Sequence, residues 1–120
     1  MKTNEITSAV INEYIYIHRK IGPGLFESVY EEILCHRLKA KGFHIRQQAA
    51  IPVVFDEVIM NVGFRADIIV NNKVIIEIKS LELLPQIALK QVLTYLRFAN
   101  ISVGLIVNFG ESILKDGIKE

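Results

Sequence analysis

The sequence predicts a domain of the α/β class, more closely an α+β mixed sheet flanked by helices, on three observations. Apolar residues recur at helical spacing through the first forty positions, and the period then shortens to that of strands between 43 and 80. A helical stretch near 85–99 separates those strands from a last, nearly all-apolar segment at 102–109. Hairpin-linked strands followed by a helix and a strand make the sheet mixed, because a helical crossover lets the final strand run parallel to its neighbour.

Each element has its own signal. In residues 3–20, Ile6, Val10, Tyr14, Ile17 and Ile21 form one apolar stripe, with Thr3 or Asn4 as cap. Gly22-Pro23-Gly24 then breaks the helix. A second helix over 25–41 turns Tyr30, Ile33, Leu34 and Leu38 inward, and Gly42 is placed to end it in a left-handed conformation. Strands are expected at 43–47 and 50–55, the latter with Pro52 near its start, followed by a turn at Asp56-Glu57. Residues 60–70 and 73–80 form the strongest strand pair, joined through Asn71-Asn72, whose side-chain type tolerates positive φ. Pro85 suits the first turn of the third helix. The segment 110–120 reads as a polar tail element.

A chain of 120 residues with 51% hydrophobic and 22% charged residues has enough apolar surface for one core, so a single domain over 1–120 is expected. Fourteen basic against thirteen acidic residues leave a net charge of +1, so no bulk field advertises nucleic-acid binding. Any such activity must come from a local site. The lone Cys35 allows no intrachain disulfide and reads as a buried structural thiol. Neither a signal peptide nor a transmembrane run is legible, and a soluble, cytoplasmic protein is expected, with no membrane partner.

The informative residues are the charges that interrupt apolar strands. Phe64-Arg65-Ala66-Asp67-Ile68-Ile69-Val70 contains Asp67, and Val74-Ile75-Ile76-Glu77-Ile78-Lys79-Ser80 contains Glu77 and Lys79. Ionised groups are seldom buried unless paired or metal-bound. If Asn71, Asn72 and Lys73 form a three-residue loop, Val70 pairs with Val74, Asp67 lies opposite Glu77 and Arg65 opposite Lys79, all on one face. A two-residue loop would place the two acids on opposite faces and dissolve the site. Adjacent carboxylates raise one another's pKa unless a cation sits between them. Hard divalent ions take oxygen ligands, here Asp67, Glu77 and the carbonyl of Ile78, while Lys79 would orient water or stabilise charge developing on a phosphate. This layout suits metal-assisted phosphodiester hydrolysis.

An Asp on one strand followed by Glu-x-Lys on the next resembles the PD-(D/E)xK nuclease superfamily, and Gly24-Leu25-Phe26-Glu27-Ser28-Val29-Tyr30 resembles the signature of its GxxExxY family. The resemblance runs from Ile21 through Gly110. It implies a restriction-endonuclease-like core, Mg²⁺ or Mn²⁺ as cofactor, and nucleic acid as partner, DNA ahead of RNA. It makes Glu27 a third acid directed at the metal. It also likens Gln91-Val92-Leu93-Thr94-Tyr95 to a Q-x-x-x-Y element, in which Gln91 and Tyr95 share a helix face and contact DNA or brace the lysine. Ala66 stands where relatives often carry Pro, and residues 87–90 lack the His expected before the Gln.

Blander readings stand beside these. Arg65, Asp67, Glu77 and Lys79 would equally make a solvent-facing salt-bridge ladder, and without the signature Glu27 is a solvated helix residue and Tyr30 core. His18, His36 and His44 lack ligand spacing, Asn108 reads as a hydrogen-bonding turn residue, and Lys39, Lys41, Arg46, Lys90 and Arg97 read as solvated. A catalytically inactive nuclease-fold module for nucleic-acid or protein binding is the alternative to an enzyme, and a structural partner domain is a third. A homodimer suits so small a domain, which has little surface for gripping a duplex.

Overall fold

The computed structural model describes residues 2–110 and the backbone of 117–119. Its elements are α1 (Thr3–Ile21), α2 (Glu27–Ala40), β1 (Ile45–Ile51), β2 (Val54–Phe55), β3 (Val58–Ile59), β4 (Phe64–Val70), β5 (Val74–Lys79), α3 (Gln86–Ala99), β6 (Val103–Asn108) and β7 (Gly117–Lys119). The main sheet has the order β1-β4-β5-β6-β7. The β5–β6 pair, bridged by α3, is parallel, and the other three pairs are antiparallel. The mixed sheet flanked by helices is therefore present.

The helices bury the stripes their sequences display. On α1, Ile6, Val10, Tyr14 and Ile17 are buried, while Ile21 at its last turn is exposed. Lys2 takes the N-cap position, without a side-chain cap bond, so neither Thr3 nor Asn4 caps the helix as expected. On α2, Tyr30, Leu34 and Leu38 are buried and Ile33 partly so. Gly42 ends that helix at φ 92°, and its N–H donates to Lys39 O at 2.9 Å.

The sheet is covered on both sides. Ile68, Val70, Val74, Ile76, Ile78, Leu105 and Val107 pack beneath α1 and α2, whereas Ile69, Ile75 and Ile106 pack beneath Ala88, Val92 and Leu96 of α3. Two expectations are corrected. The separate strands at 43–47 and 50–55 are one strand, β1, ended by Pro52; Val54–Phe55 instead pairs with Val58–Ile59 in a small hairpin. Asp56 and Glu57 adopt φ 52° and 64° at its tip, the positive-φ turn that fits the twist of a hairpin. Residues 60–63 lie outside β4, and Lys73 belongs to the turn rather than to β5.

One buried charge braces the helix pair. Glu13 of α1 is 4% exposed, and Arg37 of α2 donates to it from Nε at 2.6 Å and Nη2 at 3.2 Å, with Lys41 Nζ at 3.6 Å. The Arg37 hydrogen bond holds the Glu13 carboxyl below its ordinary range despite burial. Its contribution to stability is therefore present above the ordinary carboxyl pKa and lost as the pH falls below it. Arg37→Met leaves Glu13 with Lys41 alone, and is expected to lower the urea midpoint of unfolding at neutral pH and to leave it unchanged once Glu13 is protonated.

Candidate active site

The connection between β4 and β5 has the three-residue form. Val70 pairs with Val74, Ile69 with Ile75 and Ile68 with Ile76, so Asp67 and Glu77 come next in register. There the regular ladder stops and the carboxylates take over the bonding. The Asp67 N–H donates to Glu77 Oε1 at 3.0 Å, and the Ile78 N–H donates to Asp67 Oδ2 at 2.8 Å. Each acid thus satisfies the backbone of the other strand, which holds the two side chains together where the strands part.

Burial and mutual charge act strongly on this pair. Glu77 is 7% exposed, and desolvation, followed by the Asp67 charge, pushes its carboxyl up to about 8; Lys79 opposes the shift. Lys79, half-buried, follows Glu77 on the same side of β5 by alternation, and its carbonyl accepts from Phe109 N–H at 2.9 Å. Among the described residues its amine forms no ion pair.

Tyr95 of α3 lies over the same side of the sheet. Its ring stacks on Phe64 at a centroid distance of 4.2 Å and 15°. Burial first, then the charges of Glu77 and Asp67, raise its phenol pKa. Gln91, one turn earlier, is exposed.

Glu27 reaches the sheet from α2, on the other side. One oxygen accepts from the Ser80 N–H at 3.1 Å, and Ser80 Oγ donates to Leu25 O at 3.0 Å. Tyr30 is fully buried, stacks on Phe109 at 4.1 Å, donates its hydroxyl to Gly22 O at 2.6 Å and accepts from Leu25 N–H at 3.2 Å. Glu27 and Ser80 therefore fasten the α1–α2 turn to the end of β5, and Tyr30 fastens it to Phe109 after β6. Among the described residues no group of three His, Cys, Asp or Glu is close enough to share an ion.

Arg65 is a correction. It does not join Asp67, Glu77 and Lys79 on one face, because its Nη1 donates to Gln48 O at 2.9 Å on β1. The cause is a slip in alternation: Ala66 packs in the α3 layer and Ile68, two residues on, in the α1–α2 layer. On β1 the slip falls at Gln48, with Gln47 bonded to α2 and Ala49 packed under α3. Gln48 has φ 49°, a conformation costing a non-glycine residue on the order of 1 kcal/mol or more.

Glu31 has a place in the site that the sequence does not advertise. It is 8% exposed on α2; its carboxyl accepts from Gln47 at 2.8 Å and Gln48 at 2.8 Å, and Gln48 also donates to Asp67 Oδ1 at 3.2 Å. Burial raises its pKa, and the Asp67 charge adds to the shift. The one available signal is its position in the stripe Glu27, Glu31, Leu34, Leu38. The remaining expectations resolve simply. Cys35 is buried, its thiol pushed up to about 12 by desolvation. Asn108 is a fully buried hydrogen-bonding residue.

Fold and site together define a class: a mixed sheet between helices, with an Asp and a Glu-x-Lys brought together where two central strands diverge. The chain belongs to the PD-(D/E)XK nuclease superfamily, whose family model matches residues 4–120. No curated protein and no solved structure gives a match. Among the described residues no helix is long and apolar enough to cross a membrane.

Proposed function

We propose that this chain is a metal-dependent phosphodiester hydrolase of the GxxExxY type, cleaving nucleic acid, DNA ahead of RNA. The observation that carries the reading is the reciprocal bonding of Asp67 and Glu77 across the diverging strands, with Lys79 two residues on. The donor set fits a hard divalent ion: two adjacent carboxylates, one of them pushed up to about 8 by burial and then by its neighbour's charge, and the neighbouring Ile78 carbonyl. Asp67, Glu77 and Ile78 O would hold Mg²⁺ or Mn²⁺, with Glu27 as a third acid directed at the ion. When bound, the ion would activate water and offset charge on the phosphate.

The chain's own residues supply the rest. Lys79 orients the attacking water or stabilises the developing phosphate charge. Glu27 assists by fixing the backbone just after Lys79 through Ser80. Tyr95 bounds the site on the α3 side, and the exposed Gln91 is free to meet the nucleic acid. A homodimer and a cytoplasmic location complete the proposal.

The test is cleavage of double- and single-stranded DNA and of RNA with Mg²⁺ or Mn²⁺, beside Glu77→Ala and Lys79→Ala. Chelation and Glu77→Ala are expected to abolish cleavage, and Lys79→Ala to lower kcat about 10²–10³-fold, as when one group stabilising transition-state charge is removed. Cleavage surviving both substitutions would rule out this site. Nucleic-acid binding with no cleavage under any condition would make the chain a binding module.

A further inference from the structure

Gln48 is the one described residue inside a strand with positive φ, and the β1–β4 register sets it opposite Asp67. The kink, held by Arg65 donating to Gln48 O, directs the side-chain amide toward two carboxylates at once. Nε2 donates to Glu31 Oε1 at 2.8 Å and to Asp67 Oδ1 at 3.2 Å. Both N–H bonds of the amide are thereby used, one on each acid.

The arrangement has a chemical logic. An amide can present either its NH₂ or its C=O to Asp67, and only the first is attractive. Glu31, itself anchored by Gln47 Nε2 at 2.8 Å, selects the NH₂ end. Asp67 is then held at both oxygens, Oδ2 by Ile78 N–H and Oδ1 by Gln48, while each oxygen keeps a lone pair for a cation. A Lys or Arg in the place of Gln48 would neutralise Asp67 and compete with that cation; a neutral amide orients the carboxylate without doing so.

We propose that Gln48, oriented by Glu31, is a positioning residue that sets the Asp67 carboxylate for cation binding. The inference rests on the metal-holding role proposed above for Asp67 and Glu77. Partners of this kind typically change metal affinity 10–100-fold when removed.

The experiment is a calorimetric Mn²⁺ titration of the full chain and of Gln48→Gly, Gln48→Met and Glu31→Gln, with thermal unfolding of each metal-free protein. Glycine adopts φ near 49° freely, which offsets the bonds lost from Glu31 and Asp67, so Gln48→Gly is expected to stay folded with a metal-free Tm close to the parent's. Its Mn²⁺ dissociation constant is nonetheless expected to rise about 10–100-fold, and that of Gln48→Met likewise. Glu31→Gln is expected to weaken binding in the same direction, because its single carbonyl oxygen cannot accept from both Gln47 and Gln48 as the two carboxylate oxygens do. A merely structural residue would move Tm and leave the affinity. Folded Gln48→Gly and Gln48→Met binding Mn²⁺ within about twofold of the parent would overturn the inference and leave the site intact. A parent chain that binds no Mn²⁺ would overturn the metal site, and this inference with it.

Discussion

Replacing Glu77 by Gln is expected to make the metal-free protein more stable while abolishing cleavage. The Glu77 carboxyl titrates near 4.5 when solvated and is pushed up to about 8 in the fold by burial and the Asp67 charge. A raised folded-state pKa means that the folded chain holds a proton which the unfolded chain has released. The stabilising effect of that proton is complete below the unfolded pKa and is lost as the pH rises through the folded one. Between about pH 4.5 and 8 the metal-free parent should therefore lose stability on the order of a few kcal/mol, since a tenfold difference in proton affinity between the two states is worth about 1.4 kcal/mol. Glu31, its pKa raised chiefly by burial, adds to the same slope.

Gln is close to Glu in size, and its carbonyl oxygen can still accept from the Asp67 N–H, but it carries no charge to bury. The stability of Glu77→Gln over the parent should be small at about pH 4 and grow to about 1–3 kcal/mol at about pH 8 in the presence of chelator. Adding Mn²⁺ should narrow or reverse the gap, because an ion that binds only the folded parent stabilises it by mass action. Urea unfolding at several pH values, with and without metal, reads all of this. Parallel pH profiles for parent and variant would show that burial does not penalise the Glu77 charge. A gap that Mn²⁺ left unchanged would separate that penalty from metal binding.

The acids are legible in the sequence because the strands around them are so apolar. Asp67 and Glu77 interrupt runs of Ile and Val, and the Val70–Val74 register follows from the length of one short turn. Helix stripes and the parallel crossover are legible for the same reason: period and length are local properties. What cannot be read depends on partners distant in the chain. Ile45-Arg46-Gln47-Gln48-Ala49-Ala50-Ile51 has no clear alternation, and its slip at Gln48 is held by Arg65 and by Glu31 of α2. Strict alternation, carried across that slip, puts Arg65 on the wrong face. Glu31 stands beside Glu32, which makes both look solvated. Only their separate fates distinguish them: Glu31 is buried against Gln48, whereas Glu32 is exposed and takes one bond from Gln47. Of the tail element expected at 110–120, Gly110 and the backbone of β7 are described, and residues 111–116 and 120 lie outside the described residues.

Asn108→Ala is expected to damage the site without touching it. Asn108 ends β6 beside Lys79 in the parallel pairing and is fully buried. Its Oδ1 accepts from Leu81 N–H at 2.9 Å and Gly110 N–H at 3.1 Å, its Nδ2 donates to Leu81 O at 2.9 Å, and its own carbonyl accepts from Tyr14 OH at 2.6 Å. Alanine keeps only the last of these. Losing the other three, with backbone groups left short of partners, is expected to cost about 2–4 kcal/mol in urea unfolding. The loss falls on Leu81 and Gly110, so the segment that leads away from Lys79 should loosen, and kcat should drop about 10-fold or more even where the protein remains folded. Gly110→Ala approaches the same joint from the other side, because an added Cβ would collide with the backbone of Leu81. If both variants kept parental kcat, or if hydrogen exchange at residues 80–84 were unchanged in Asn108→Ala, the anchoring of Lys79 through Asn108 would be refuted. Loss of kcat with a matching rise in exchange confined to that segment would place the effect in the position of Lys79 rather than in global unfolding.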